Sequence, residues 1–403
     1  MKKTFLIIML ILTINIFIHA QTNSEAIIAQ GNNLSDKLAW LNAFAQSYGT
    51  YLIAINQDET IRATTLEFTD KSNITIIIVG IDDTRSISTQ FTVGNGVWLI
   101  IDNQIRIIPE RYYSSAQPPI VVNQGGNLIM NSGSTVAGDS FSGNAIRVRG
   151  SFVMNGGSIY QSVSIERDGW FHLNDGNIIS SHDAVGVGGV FEMNGGTISG
   201  SRGSSRTMVN VAENGQFIMN GGNIMEGGIG VSVFGHFNMI DGTISNNSNV
   251  GVLLRERGSF IMNGGTITAN RRSGVNLENR SSFVLVGGSI ISNPSIGVFI
   301  GSSGARFTMQ GGIITGNTSW EQGGGGVFVN GYFEKTGGVI TGYSSDNANG
   351  NVVRDQQRNV LNFRGHAVYA KTNSGRIKIK DTTAGENDNL FYDASSSSGA
   401  WDN

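Results

Sequence analysis

A short repeated phrase dominates the middle of the chain and constrains its fold. Residues 260–267 read FIMNGGTI, and close variants read FVMNGGSI at 152–159, FEMNGGTI at 191–198 and FIMNGGNI at 217–224. With the Phe taken as position 0, ten copies lie 19 to 26 residues apart, and all ten carry Gly at position +5. A constant motif with a variable period predicts a solenoid in which each copy builds one layer.

Each copy predicts three short strands. Positions 0 and +2 are apolar with mixed residues around them, which is the period-two pattern of a strand that buries one face. The Asn-Gly-Gly that follows turns the chain, because Gly adopts positive φ at little cost. An Ile at position +7 begins a second strand in the nine copies from Ile159 to Ile340. A third strand lies upstream, with its outer two residues facing inward, as in Val209-Asn210-Val211. Position 0 is occupied by Leu128, Phe152, Phe171, Phe191, Phe217, Phe237, Phe260, Phe283, Phe307 and Phe333.

Three strands per copy predict one rung of a parallel β-helix, because the backbone of a rung can pair only with the rungs above and below it. Weaker copies flank the repeat, so we expect about a dozen rungs and an all-β fold. Like residues should then stack on like. The asparagines at position +3 are predicted to be structural, with their amides bonded to one another and to the turn backbone. They are Asn131, Asn155, Asn174, Asn194, Asn220 and Asn263.

The ends of the repeat predict caps. Leu34, Leu38, Leu41 and Phe44 recur at helical spacing, which indicates an amphipathic helix lying over the first rung. We expect four segments: a signal peptide at 1–20, the capping helix and first irregular rungs at 21–90, the parallel β-helix at 91–380 and a polar C-terminal tail at 381–403.

Composition indicates export. Lys2 and Lys3 precede an apolar run that ends at Ala20, which predicts a secretory signal peptide cleaved after Ala20. Its removal leaves 25 basic and 30 acidic residues, a formal charge of −5, which argues against nucleic acid or an anionic membrane as partner. The chain has no Cys for disulfides and no second apolar run for a transmembrane helix. We therefore expect a secreted or cell-surface bacterial protein.

The motif F-x-M-N-G-G-x-I resembles the repeats of the right-handed parallel β-helix, or pectin-lyase-like, superfamily over about residues 120–345. The F-x-x-N pattern at 152–155 and 260–263, with GGSI at 156–159 and GGTI at 195–198, is similar to the repeats of polymorphic outer-membrane adhesins. The resemblance implies a right-handed, single-stranded β-helix. It does not imply an activity, because this scaffold hosts lyases, hydrolases, adhesins and inert spikes.

The outward positions contain few groups for acid–base chemistry. The outward column of the upstream strand holds no carboxylate, whereas the Phe-containing strand places His172 and Glu192 on neighbouring rungs, about 5 Å apart by strand spacing. A surface ion pair is the plainer interpretation, and a catalytic or metal-binding pair is the alternative.

Three fragments are similar to polygalacturonase motifs: Asp82-Asp83, 365–367 (Gly-His-Ala) and 376–378 (Arg-Ile-Lys). Ala367 replaces the final Gly of the second motif, and the Asp pair lies far from the other two along the chain. We therefore interpret them as turn acids and a solvated basic strand. Arg376, Lys378 and Lys380 remain candidates for contact with an anionic glycan.

Apolar outward positions favour a binding surface. Phe299 and Phe328 should lie side by side on adjacent rungs, with Leu253 two rungs away and Trp320 on the long loop NTSWEQGGGG. Packing of loops over this patch and a glycan- or protein-binding face are both open interpretations.

The sequence therefore favours an exported, non-catalytic β-helix surface protein that is adhesive or glycan-binding. Its expected partner is a polysaccharide or a host or extracellular protein surface, and we expect no cofactor or metal. The alternative is a polysaccharide lyase or glycoside hydrolase of the pectin-lyase-like superfamily. Its candidate residues are His172, Glu192, Asp82, Asp83 and Arg376.

Overall fold

The computed structural model describes residues 26–109, 118–138, 144–200, 205–320, 323–344, 346–361, 365–370, 376–379 and 400–401. The chain divides into two compact units, Met1–Tyr160 and Gln161–Asn403. Both are built from stacked parallel strands, and together they contain about 13 turns of a β-solenoid. This confirms the predicted all-β parallel β-helix and its rung number.

Each unit contains the same three parallel sheets. We call the sheet with motif positions 0 and +2 the Phe sheet, the sheet with position +7 the Ile sheet, and the upstream sheet the Val sheet. In the first unit the Phe sheet comprises Ile27–Ile28, Thr50–Ile55, Ile74–Gly80, Val97–Ile101, Asn127–Met130 and Ser151–Met154. The Ile sheet comprises Glu59–Thr60, Arg85–Ser88, Ile105–Ile108, Thr135–Ala137 and Ser158–Tyr160. The Val sheet comprises Thr64–Leu66, Phe91–Val93, Ile120–Val122 and Asn144–Val148.

One α-helix, Leu34–Phe44, lies at the start of the first unit. The Asn33 side chain caps it by accepting a hydrogen bond from the Asp36 N–H at 2.8 Å. Leu34 and Leu41 are fully buried, so the predicted apolar stripe is present. Phe44, which we placed on that stripe, is instead 62% exposed and packs on the Trp40 ring at 5.5 Å. The stripe therefore stops one turn before the helix ends.

The second unit carries the regular repeats. Its Phe sheet comprises Trp170–Leu173, Val190–Met193, Gln216–Met219, His236–Met239, Ser259–Met262, Ser282–Leu285, Arg306–Met309, Tyr332–Lys335 and Arg376–Ile379. Its Ile sheet comprises Asn177–Ser180, Thr197–Gly200, Asn223–Met225, Thr243–Ser245, Thr266–Thr268, Ser289–Ile291, Ile313–Thr315 and Val339–Ile340.

The Val sheet of the second unit is also parallel, except at its last strand. It comprises Ser162–Ile165, Val185–Val187, Thr207–Val211, Ile229–Val233, Val250–Leu254, Ser273–Leu277, Ile296–Ile300, Val327–Val329, Val368–Ala370 and Ala400–Trp401. The final pairing, between Val368–Ala370 and Ala400–Trp401, is antiparallel. A two-stranded parallel sheet joins Thr318–Trp320 to Val352–Arg354.

Like residues stack on like inside the second unit. The Phe rings from Phe171 to Phe333 form one column, with neighbouring centroids 4.6 to 5.1 Å apart. Position +2 faces the same interior, and even Lys335, which breaks the Met pattern, is buried there. Each inward aromatic ring contributes roughly 1.5–3 kcal/mol by burial. The columns therefore explain why the repeat preserves residue type at positions 0, +2 and +7.

A second column of asparagines lies inside the turn between the Ile and Val sheets, and sequence analysis did not predict it. Asn247, Asn270, Asn293, Asn317 and Asn351 are all fully buried. From Asn270 onward, each side-chain oxygen accepts from the backbone N–H of the preceding ladder residue, for example at 2.9 Å from Asn270 N to Asn293 Oδ1. The oxygen of Asn247, the first of the column, accepts from Gly227 N at 3.0 Å. The amide groups bond to one another along the column as well, at 2.8 to 3.2 Å. These bonds satisfy buried polar atoms of the turn that would otherwise lack hydrogen-bond partners.

Candidate functional site

The outward face of the Phe sheet of the second unit presents three columns of exposed or half-exposed side chains, at positions −1, +1 and +3. We call it the outer Phe face and count its rungs from Trp170–Leu173 to Tyr332–Lys335. Position −1 holds Trp170, Val190, Gln216, His236, Ser259, Ser282, Arg306 and Tyr332. Position +1 holds His172, Glu192, Ile218, Asn238, Ile261, Val284, Thr308 and Glu334. Position +3 holds Asn174, Asn194, Asn220, Ile240, Asn263, Val286, Gln310 and Thr336.

His172 and Glu192 lie on neighbouring rungs of this face, as predicted. They are directly paired in the sheet, with His172 Nδ1 3.6 Å from Glu192 Oε2. Amide groups hold both side chains. Asn220 Nδ2 donates to Glu192 Oε1 at 2.9 Å, and the Asn194 amide contacts His172 Nε2. The pair is therefore fixed in place by its neighbours.

Trp170 completes this end of the face, and sequence analysis missed it. The residue is 37% exposed, and its ring meets the His172 ring edge-on, with centroids 5.2 Å apart. The signal was present in the repeat, because position −1 is an outward position two residues before His172.

The predicted asparagine column forms where asparagines are consecutive. Asn194 donates to Asn174 at 2.9 Å and Asn220 donates to Asn194 at 2.8 Å. Asn263 has Ile240 and Val286 as its column neighbours, so its amide bonds Asn238 instead, at 2.7 Å. Trp170, His172, Glu192 and the asparagines 174, 194 and 220 thus form one polar–aromatic cluster, which we call the Trp170 cluster.

The predicted aromatic patch lies on the Val sheet, with less exposed surface than its outward position indicated. Phe299 and Phe328 stack at 5.0 Å, and Tyr369 covers the other side of Phe328 at 5.7 Å. Phe328 is only 8% exposed and Leu253 only 5%. A sugar stacks on a ring face, and both faces of Phe328 already contact another ring. Phe299 therefore offers most of the accessible surface.

Trp320 lies apart from the regular rungs, on the two-stranded sheet. It is exposed, and its indole N–H donates to the Pro294 carbonyl at 3.3 Å. Its register partner on the paired strand is Arg354, whose guanidinium donates to the Arg358 carbonyl at 2.9 Å.

The polygalacturonase-like fragments are placed as follows. In the first unit, Asp83 lies 3.7 Å from Arg85 in an exposed turn, and Asp82 adopts φ 70° there. In the second unit, His366 is buried and its Nδ1 accepts the Val353 N–H at 2.9 Å, so it serves the backbone. Arg376 and Lys378 lie in Arg376–Ile379, which pairs with Tyr332–Lys335. The side chains of that strand, and Lys380 altogether, lie outside the described residues.

Within the described part of the chain, no group of three His, Cys, Asp or Glu side chains converges as a metal site would require. No described helix has the length and apolarity needed to cross a membrane.

Fold and site together define a parallel β-solenoid with a hydrogen-bonded array of polar groups on one face of its second unit. No family model matches this chain, and no curated protein or solved structure matches it.

Proposed function

We propose that this chain is an exported, non-catalytic β-helix protein of the pectin-lyase-like kind that adheres to glycans outside the cell, with the Trp170 cluster as the glycan site. The observation that carries the proposal is an exposed indole in edge-on contact with an imidazole. Hydrogen bonds link that imidazole, a carboxylate and three amides into one group. Aromatic rings supply the apolar contact that pyranose faces need, and the polar groups bind hydroxyls.

The fixed positions of these polar groups favour binding. Glu192 and the amides of Asn194 and Asn220 are already hydrogen-bonded to one another, so little side-chain entropy remains to be lost when a ligand binds. The cluster presents one amide per rung, at the spacing of about 4.8 Å between strands. An extended glycan laid along the solenoid axis would meet one polar group on each rung.

The same face argues against hydrolysis. A glycosidase needs two carboxyl groups about 5–9.5 Å apart. Glu192 and Glu334 are the carboxylates in the three described columns, and the six strand steps between them span about 29 Å. Within the Trp170 cluster, Glu192 has an imidazole and an amide as partners, with no second carboxylate to act with it.

Glycan binding is tested with the purified chain on neutral, amino-sugar and acidic glycan arrays. We expect Trp170→Ala to weaken binding about tenfold or more, because buried Trp contacts commonly contribute about 2 kcal/mol. Phe234→Ala is the matched control, since Phe234 is also 37% exposed but lies in a turn outside the outer Phe face. No bound glycan, or equal losses in the two variants, would contradict the proposed site.

Catalysis is tested separately. The chain is incubated with acidic and neutral polysaccharides, and new reducing ends and unsaturated products are measured. We expect neither to form. Turnover that disappears in Glu192→Gln would reverse the proposal in favour of a polysaccharide lyase or hydrolase.

A further inference from the structure

We propose that the outer Phe face also binds the outer Phe face of a second copy of this chain, with the two solenoid axes antiparallel. This inference uses the same face as the proposed function but a different partner, so the two bound states exclude each other.

The Phe rings stacked behind this face are nearly parallel, which favours a sheet with little twist. Consecutive Phe rings from Phe191 to Phe307 differ in plane by only 5 to 8°, whereas strands of an ordinary sheet rotate by about 20–25° per step. A sheet that hardly twists keeps its outward columns parallel over many rungs. Two such faces can therefore contact each other along their whole length.

The centre of the face is apolar and exposed. Ile240, Ile261 and Val286 are 43%, 44% and 42% exposed, and Ile218 and Val284 lie in the same block, in columns set by the strand register. Large apolar side chains that adjoin one another at the surface usually mark an interaction site. This block lies midway between a polar end and a charged end of the same face.

The two ends complement each other under one symmetry operation. Consider a two-fold axis that runs parallel to the strands and passes between the fourth and fifth rungs. Rung one of one copy then faces rung eight of the other, and each column faces the same column of the other copy. His172 then faces Glu334 of the second copy, and Trp170 faces Tyr332. One rung inward, Glu192 comes beside Arg306, whose guanidinium lies on the Tyr332 ring at 4.1 Å. Ile218 faces Val284 near the centre.

The parallel arrangement lacks this match. An axis along the solenoid, above position +1, would place every rung opposite itself, so Glu192 would face Glu192 and Glu334 would face Glu334. Like charges brought together at an interface are disfavoured. Charge therefore selects the antiparallel orientation.

The area predicts a weak, concentration-dependent dimer. Eight strands of four residues cover roughly 38 Å by 13 Å, or about 500 Å² for each copy. The total of about 1,000 Å² lies at the lower end of specific protein interfaces. We therefore expect dimers at high protein concentration and monomers on dilution.

Two measurements test the proposal on the full chain. The first is sedimentation velocity over a concentration series, in which wild type should dimerise. Ile261→Asp would bury a charge beside its symmetry mate, so it should weaken the dimer about tenfold or more.

The second measurement is cross-linking. Because the chain has no Cys, single-Cys variants report orientation through a short bis-maleimide cross-linker. Facing sheets lie about 10 Å apart, so Asn238→Cys, one rung from its mate, should cross-link. Thr308→Cys, five rungs from its mate, should not.

Each outcome decides between alternatives. Cross-linking of both variants would show parallel docking and overturn the antiparallel arrangement. A monomer at all concentrations, with neither variant cross-linked, would overturn self-association. Ile261 lies three rungs from Glu192, the nearest member of the Trp170 cluster in the same column, so the Ile261→Asp variant should still bind glycan.

The two proposals can also fail separately. A wild-type chain that dimerises but binds no glycan would contradict the proposed function and leave this inference standing.

Discussion

The asparagines of this chain form two groups with different roles, one exposed and one buried. Those of the Trp170 cluster lie on the surface, where their amides can exchange one another for a ligand or water. Those of the internal ladder are fully buried and bond backbone groups that no solvent reaches. Asn293 donates to Ile267 O at 3.3 Å, Ile291 O at 3.2 Å and Asn317 Oδ1 at 2.9 Å. A buried group with so many acceptors around it must remain a donor.

Replacement of Asn293 by Asp tests this. The carboxylate cannot donate to the three oxygens, so we expect a loss of about 3 kcal/mol or more in the free energy of unfolding at pH 7. Burial raises the pKa of such a carboxyl group above its unfolded value, so the loss should grow as the pH rises from 4 to 7. Urea unfolding at the two pH values measures it. Asn263→Asp, on the exposed face, should change stability by less than about 0.5 kcal/mol; equal effects in the two variants would refute the ladder's role.

The sequence carried a signal for this ladder that periodicity alone could not interpret. Asn270, Asn293 and Asn317 each follow the inward Ile by three residues and precede a Gly-Val pair. A polar residue at a turn is normally solvated, so its burial depends on how tightly adjacent turns stack, which is a property of neighbouring rungs. By contrast the Phe, Met and Ile columns were predictable, because alternation along a strand fixes which side chains face inward.

At the level of the secondary-structure element, the turn after each Phe strand depends on the glycine at position +5, which has positive φ in every copy. Gly265 has φ +80°, and a Cβ there would lie 2.6 Å from Met239 Cε and 2.7 Å from Gly242 O. The turn thus needs a left-handed residue with no side chain on every rung. Gly186, within a strand of the Val sheet, has no atom within 4 Å of a built Cβ, so its absent side chain has no such steric cause.

These two glycines predict opposite results when replaced by Ala. Gly265→Ala should lower the free energy of unfolding by more than about 1 kcal/mol, through strain and contact with the rung before it. Gly186→Ala should leave stability unchanged or raise it by about 0.4–1 kcal/mol, because it reduces the entropy of the unfolded chain. Thermal or urea unfolding followed by circular dichroism measures both. Destabilisation of the same size in the two variants would mean that the turn does not require glycine.

Element boundaries were easier to predict than surface exposure. The strands formed where alternation placed them, and Phe299 and Phe328 are neighbours as expected. The burial of Phe328 and Leu253 was not predictable, because period-two alternation gives the direction of a side chain and not what packs over it. The prediction that Phe44 belongs to the apolar stripe was wrong for a related reason, because helical spacing does not show where the stripe ends. Trp170 was predictable from the repeat, because position −1 is an outward position two residues before His172.

At the scale of the whole molecule, the repeat explains both the fold and the kind of surface it carries. Each strand pairs in register with the equivalent strand of the next rung, so inward residues must stay alike while outward residues are free to vary. In the second unit that freedom yields an aromatic–amide end, an apolar centre and an arginine-containing end on one straight face. The adhesive role and the self-association proposed here both depend on that division between inward and outward columns.

Thiol labelling of single-Cys variants along Ser259–Met262 measures this division most directly. The interior column predicts that Ile261→Cys reacts at a rate close to that of a free thiol, whereas Met262→Cys, at a fully buried position, reacts slower by orders of magnitude because it must wait for the rung to open. The same alternation should recur at Val284→Cys and Leu285→Cys on the next rung. Equal rates at 261 and 262, or fast labelling at both 262 and 285, would contradict the stacked interior columns.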